Sequence, residues 1–385
     1  MSAGNSIALA TQRMVAPVQG MHRAISSRWF GAVGPASLPV RRTHDAVSDV
    51  VYGVLRAGGA VAGYILESRM SDVSPVSESI QSVVNGLWGD DLGRYGPELE
   101  IPMTVRDRSG DPVNLSADLG VAFPDATGHV VVLVHGLLET ERCWQGLGEE
   151  PGLVEALEAH PVLTPAPVRY NSGLRISENG DQLSRLVAEL RVGWPVPVES
   201  ISLVGHSMGG LVIRSACATA ESTNQGWLQH VRDVVTLGTP HRGSPLEKAA
   251  NVAAWALDGT PDTRPLAEFL NGRSVGIKDL RFGAIMEDDW RGADADAFLS
   301  NTVGEHSLPP GIRHNFLAGV ATANPAHPLA HAVGDLVVRA NSAVGRGNLS
   351  PTSAEVVGGV RHLDLPRTPV VVQRVVAWLS EFPAL

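Results

Sequence analysis

The spacing of apolar residues changes character near residue 100. Upstream, Val47, Val50, Val51, Val54, Leu55, Gly58, Val61, Ala62 and Ile65 follow the three-, four- and seven-residue spacing of one helix face, with Asp49 and Arg56 off it. This predicts a helix over 46–66 packed on the main domain, with an interfacial membrane helix as the competing reading. Gly59 and Gly63 form GxxxG, which carries meaning only inside a lipid-spanning helix. Residues 68–82 are serine-rich and read as a linker with a short helix after it.

Downstream, short apolar runs alternate with helical stretches. Val130–Val134 is continuously apolar, as a strand buried on both faces must be. Further strands are predicted at Pro161–Arg169, Ser200–Val204, Arg232–Leu237, Ile312–Val320 and Ala354–Val360. Leu183, Leu186, Val187 and Leu190 give a helix face between two of them. The last helix has Thr368 as N-cap, Pro369 at its first position and Val372, Val375, Val376 and Leu379 inward. The alternation predicts an α/β fold, a mainly parallel sheet with helices on both faces.

Composition narrows the class. The 385 residues are 44% hydrophobic and 18% charged, enough for a sizeable core. Two cysteines, Cys143 and Cys217, exclude a disulfide scaffold and a CxxC metal site. No run approaches the roughly 18 apolar residues of a membrane span. The net charge of −10 argues against a nucleic-acid partner. That charge is uneven: residues 1–44 hold Arg13, Arg23, Arg28, Arg41 and Arg42 and no acid, so a +5 leader precedes a −15 body. The leader lacks a secretory apolar segment and reads as a flexible or loosely docked tail, with a membrane-touching arm and a transit leader as alternatives.

Gly205-His206-Ser207-Met208-Gly209 matches G-x-S-x-G, and so does Gly272-Arg273-Ser274-Val275-Gly276. Context separates them. Ser207 follows a predicted strand and opens a helix, the tight turn in which Gly205 and Gly209 let strand and helix approach. Ser274 follows a helical stretch and reads as a turn between helices. Ser207 is therefore the candidate nucleophile. His135-Gly136-Leu137-Leu138 follows the Val130–Val134 strand, and Leu137 N–H with Met208 N–H would form the oxyanion hole, Gly136 allowing close backbone approach. His362, after the Ala354–Val360 strand, is the candidate base; Asp335, 27 residues before it, is the candidate acid. Asp364 is too near His362 in sequence to orient it, and His206 should point away from the serine.

Together these residues resemble the α/β-hydrolase superfamily, specifically lipase-like members similar to the GPI inositol-deacylase family. The resemblance runs over about 125–381 and rests on Val134-His135-Gly136-Leu137, Gly205–Gly210, Gly334-Asp335, His362 and above all Thr239-Pro240-His241-Arg242-Gly243-Ser244. It implies hydrolysis of acyl esters, often on lipids, without an organic cofactor. The membrane-embedded members' glycolipid substrate does not carry over to a chain without spans. His241 precedes Asp335, the wrong order for a base, and is read as structural.

The expected organisation is an N-terminal extension over 1–100, partly flexible with one or two helices, and a hydrolase domain over 101–385 with a cap insertion at 241–310. Within the cap, Leu246, Ala249, Ala250, Ala253, Ala254 and Leu257 give a helix face. Glu287-Asp288-Asp289 and Asp294-Asp296 lack the glycine and glutamate of a calcium loop and read as solvated acids, so no metal is expected. The reading is a serine ester hydrolase without cofactor, acting on a small-molecule or lipid ester. An acyltransferase using the same acyl-enzyme and a non-catalytic binding protein are the alternatives. The expected location is cytoplasmic, with peripheral membrane contact as a variant of it; the sequence leaves oligomeric state open.

Overall fold

The computed structural model describes residues 3–38, 41, 42, 44, 45, 48, 49, 52, 53, 56, 75–95, 97–261, 263–324, 335, 337–345 and 349–382. Most of the helix predicted over 46–66, its GxxxG, the serines at 68, 71 and 74, His327, His331 and Gly334 lie outside the described residues.

Seven strands form one sheet: β1 (Thr104–Val105), β2 (His129–Val134), β3 (Leu163–Arg169), β4 (Ser200–His206), β5 (Val231–Leu237), β6 (Arg313–Val320) and β7 (Ser353–Gly358). Their order is β1-β3-β2-β4-β5-β6-β7. Only β1 runs antiparallel; every other pairing is parallel. This is the α/β-hydrolase arrangement. The six longer strands are those expected from the apolar runs, with shifted ends. β3 starts at Leu163, because His160 and Pro161 belong to the turn before it. β7 stops at Gly358, where Gly359 takes φ 75°. The two-residue edge strand β1 carries no periodic signal and was not foreseen.

The named helices are α1 (Ala3–Val33), α2 (Pro75–Trp88), α3 (Leu153–Glu158), α4 (Ile176–Gly193), α5 (Met208–Ser222), α6 (Pro245–Asp258), α7 (Arg264–Asn271), α8 (Val275–Asp279) and α9 (Pro369–Ser380). The strand pleat divides the core. Val130, Val132 and Val134 of β2 join Leu183 and Val187 of α4 and Leu211 and Val212 of α5. Val131 and Leu133 join Leu153 and Leu157 of α3 and Val372, Val375 and Leu379 of α9 on the other face. β2 is covered on both sides and apolar from Val130 to Val134, which is why it reads as a run and not an alternation. At the start of α9, Thr368 occupies the cap position, but its hydroxyl donates to Asp364 O at 2.7 Å and makes no cap bond.

The leader, expected as a flexible or loosely docked tail, carries a long helix. Ala3–Val33 is helical, α1 packs along α7 and α2, and Gly20 lets Pro265 of α7 approach. Arg13 pairs with Asp91 at 2.9 Å. Arg13 of the leader thus meets an acid of the body across the fold.

Residues 75–82, expected as linker, are helical, since α2 starts at Pro75. Val84 and Trp88, four residues apart, form an apolar stripe with Leu92 and Leu99. Polar anchors complete the docking. Asn85 Nδ2 donates to Leu99 O at 2.8 Å and its Oδ1 accepts from Ile101 N–H at 2.9 Å. Glu78 of α2 accepts from Arg169 of β3 at 2.9 Å and from Arg142 at 3.0 Å. Arg169 also grips Glu141 through two bonds of 2.6 Å. α2 therefore packs on the body, against the loop that follows β2.

Candidate active site

The site forms where β2, β4, β6 and β7 end. Val134 of β2 pairs with Gly205 of β4, so the loop after β2 begins beside the turn after β4. That turn is sharp: Ser207 has φ 51° and ψ −120°, a conformation that costs a non-glycine residue about 1–3 kcal/mol. The surrounding packing holds it. A Cβ at Gly205 would lie 2.5 Å from Gly210 N, and one at Gly209 2.2 Å from Val134 O. Both glycines are therefore required by close backbone approach. The Ser207 N–H donates to Leu237 O at 2.8 Å, tying the turn to β5.

The three residues chosen from sequence meet here. His362 Nε2 lies 2.8 Å from Ser207 Oγ. His362 Nδ1 lies 2.7 Å from Asp335 Oδ2. Asp335 Oδ1 accepts from Val338 N–H at 2.8 Å and Val337 N–H at 3.0 Å, which orients the carboxylate. The His362 N–H donates to Asp335 O at 3.2 Å. All three side chains are buried, Ser207 being 9% exposed. The geometry fits a carboxylate fixing one imidazole nitrogen while the other faces a hydroxyl.

Met208 follows the serine as the first residue of α5, and Leu137 follows Gly136 in the loop after β2. Among the described residues neither N–H has a protein partner, which leaves both as donors. Gly136 lies so close that a Cβ there would be 3.0 Å from Ser207 Cβ. Leu138 takes φ 65°, and its N–H donates to Ser172 Oγ at 3.2 Å. From the far side Gly86 of α2 presses on this loop: a Cβ there would meet Leu138 Cδ2 at 2.4 Å and Ser172 Oγ at 3.0 Å.

Sequence reasoning missed the residues that hold these parts together. His206 points away from the serine, as expected, but into a buried network. Its Nδ1 lies 2.7 Å from Glu139 Oε2 and its Nε2 lies 3.0 Å from His362 O. Glu139 Oε2 also accepts from Gly136 N–H at 2.7 Å. One carboxylate thus joins the loop after β2, and one imidazole joins β4 to the His362 loop. Burial opposes charge on Glu139, yet the His206 cation and the Gly136 N–H outweigh it and lower its pKa to about 2. Burial likewise opposes charge on His206, and the Glu139 carboxylate raises its pKa despite that. His135 supplies a neutral anchor. Burial lowers its pKa; Nδ1 lies 2.8 Å from Gly136 O, and Tyr170 O–H donates to His135 O at 2.9 Å. A signal existed in Glu139, three residues after Gly136, and in His206 at the strand's end, but neither points to its partner without the sheet order.

Other candidates fall elsewhere. Ser274 caps α8, buried, and donates to Gly86 O at 2.6 Å. His241 is buried against Phe316, with Nε2 3.1 Å from Thr236 Oγ1. Asp289 accepts from Ile285, Met286 and Gly304 N–H and lies 2.8 Å from His306 Nε2, so its oxygens are occupied by protein donors. A cavity of about 330 Å³ at the sheet edge, bordered by Arg106, Phe123, Glu158 and Pro165, holds none of the candidate catalytic residues.

Comparison with known proteins gives partial matches. Residues 187–291, from the end of α4 into the cap, match the PGAP1-like alpha/beta domain family. The sheet order described above gives the chain an α/β-hydrolase fold. A triacylglycerol lipase of Pseudarthrobacter phenanthrenivorans is 32% identical over 123 residues, 31% of this chain and 35% of that one. A triacylglycerol lipase of Burkholderia plantarii is 32% identical over 123 residues, 31% of each chain. The chain thus matches about a third of the length of these curated relatives. Among solved structures, the mature lipase of Bacillus licheniformis is similar at 18% identity over 65% of this chain and 91% of that chain, with a TM-score of 0.43.

Proposed function

We propose that the protein is a serine hydrolase cleaving carboxylic esters, with lipid acyl esters as its substrate class. The observation that carries the reading is the hydrogen-bonded series Ser207–His362–Asp335, at 2.8 and 2.7 Å, set on a strained strand-to-helix turn. In this reading His362 Nε2 takes the Ser207 proton as Oγ attacks the acyl carbonyl. Asp335 stabilises the imidazolium. The Leu137 and Met208 N–H groups hold the developing oxyanion, helped by the N-terminus of α5. His362 then protonates the leaving alcohol, and water attacks the acyl-enzyme by the reverse route. No cofactor enters these steps.

The lipase relatives favour a lipid ester over a water-soluble one. So does the cap within the 241–310 insertion, whose outer residues Leu246, Trp255 and Phe298 are exposed; Trp255 and Phe298 lie 4.8 Å apart between ring centroids. Such a cluster suits peripheral contact with a lipid surface. Among the described residues no helix is long and apolar enough to cross a membrane. We take 101–385 as the hydrolase domain, with α2 as its support.

Purified protein should hydrolyse p-nitrophenyl butyrate, and Ser207→Ala should lower kcat on the order of 10⁴-fold or more. If Ser207→Ala left turnover intact while Ser274→Ala abolished it, the reading would fall. Added glycerol should not divert the acyl group; accumulation of acylglycerol would make the enzyme a transferase.

A further inference from the structure

The cap, α5 and the segment before β7 border a cavity of about 400 Å³, lined by Arg214, His241, Arg242, Lys248, Glu305 and His306 among others. None of the residues given a role in ester cleavage lines it. Its charge stands out against a body that is net acidic.

Arg214, on α5, is 8% exposed. Its guanidinium donates to His306 O at 3.1 Å, and among the described residues no carboxylate lies within 4 Å of it. Burying a guanidinium without a carboxylate is costly, so such an arrangement is kept for a reason other than stability. Burial lowers its pKa to about 10, against the pull of Asp289. Lys248, on α6, places Nζ 4.7 Å from the Phe282 ring centroid, again with no carboxylate within 4 Å among the described residues. Burial and the neighbouring Arg339 and Arg242 cations lower its pKa. His241 lines the same cavity with its buried Nδ1 lacking a partner among the described residues. Burial keeps that ring neutral. On the acidic side Glu305 lines the cavity, and Asp289 is engaged by His306.

We infer that this cavity binds a phosphate group, held by Arg214 and Lys248. A monocarboxylate would balance one of these cations. A phosphate offers several acceptor oxygens and up to two negative charges, matching a planar guanidinium fork and a mobile ammonium. The phosphate has two chemical sources, the headgroup of a phospholipid substrate or free phosphate. The headgroup source rests on the ester-hydrolase reading; phosphate binding itself does not. Arg214 lies seven residues after Ser207 on the same helix, about 10 Å of rise, a span a phosphoglycerol headgroup can bridge.

The test uses the full chain carrying Ser207→Ala, so that turnover plays no part. Inorganic phosphate is titrated calorimetrically at constant ionic strength, with chloride and acetate as comparators. Saturable binding tighter than either is expected, weakened at least tenfold by Lys248→Ala and by Arg214→Met. Lys248→Ala, on a partly exposed side chain, keeps the test decisive if Arg214→Met fails to fold. Binding no tighter than acetate, or unchanged in Lys248→Ala, overturns the proposal. In the active protein, a dihexanoyl phosphatidic acid cleaved with at least tenfold higher kcat/KM than dihexanoylglycerol, the preference vanishing in Lys248→Ala, assigns the headgroup. Equal rates with phosphate binding intact overturn the headgroup source and leave free phosphate. Lys248→Ala should leave p-nitrophenyl butyrate turnover unchanged, and absence of that turnover in the parent protein would refute the esterase reading alone.

Discussion

Replacing Glu139 by Gln removes one charge from the buried link between the loop after β2 and the His362 loop while keeping the side chain's size. The amide oxygen can still accept from Gly136 N–H, so the loss is mainly electrostatic. Its magnitude follows from the carboxylate's pKa, about 2 in the fold against 4.5 for an ordinary glutamate. At about 1.4 kcal/mol per pH unit, this corresponds to about 3 kcal/mol. The value agrees with the roughly 3–5 kcal/mol lost when one partner of a buried ion pair is removed. A depressed carboxylate pKa stabilises the fold fully above pH 4.5 and progressively less as pH falls toward 2. His206 has the opposite sign: its raised pKa gives stability that is complete below pH 6.5 and lost as pH rises through the folded value. Urea unfolding at pH 7 should therefore show Glu139→Gln less stable by about 3 kcal/mol. The gap should narrow by about 1.4 kcal/mol for each unit below pH 4.5. Because Gly136 and His362 both hang on this pair, kcat should fall more than KM rises. Equal stability at pH 7, or a gap that stays constant from pH 6 to pH 3, would refute the reasoning.

Other substitutions probe separate parts of the site. Asp335→Asn should lower kcat on the order of 10⁴-fold with little change in KM, since it removes the group that sets the His362 tautomer; steady-state ester hydrolysis measures this. Gly209→Ala puts a methyl group 2.2 Å from Val134 O, a backbone atom that cannot turn aside, so soluble protein should melt many degrees lower by calorimetry and lose its esterase activity. Arg169→Leu leaves Glu78 and Glu141 facing each other without their shared cation and should cost about 3–5 kcal/mol in urea titrations. Ser274→Ala should retain wild-type kcat while losing about 1–2 kcal/mol, the cost of its buried bond to Gly86 O.

The parts of the fold legible in sequence are those governed by local pattern. β2 is apolar from Val130 to Val134 because both its faces are covered, and that marks it in one dimension; β4 and β5 carry shorter apolar runs, Leu203–Val204 and Val234–Val235. The turn at Ser207 was legible because the close approach of strand and helix there demands glycine at 205 and 209. Asp335 and His362 followed from chain order once that turn was placed. The supports were not legible, because each depends on two distant segments meeting. Glu139 and His206 are 67 residues apart, and Glu78 and Arg169 are 91 apart. α2 was partly hidden by its serines, whose polarity suggested a linker, although Val84 and Trp88 already lay at helical spacing. The +5 leader looked like a tail because its acidic partner, Asp91, is part of the body.

The central claim is that Ser207 is the nucleophile, and fluorophosphonate labelling followed by peptide mass spectrometry tests it most directly. The modification should fall on Ser207 alone, should be abolished by Ser207→Ala, and should slow sharply in His362→Ala. Labelling at Ser274, or labelling that persists in Ser207→Ala, would contradict the account.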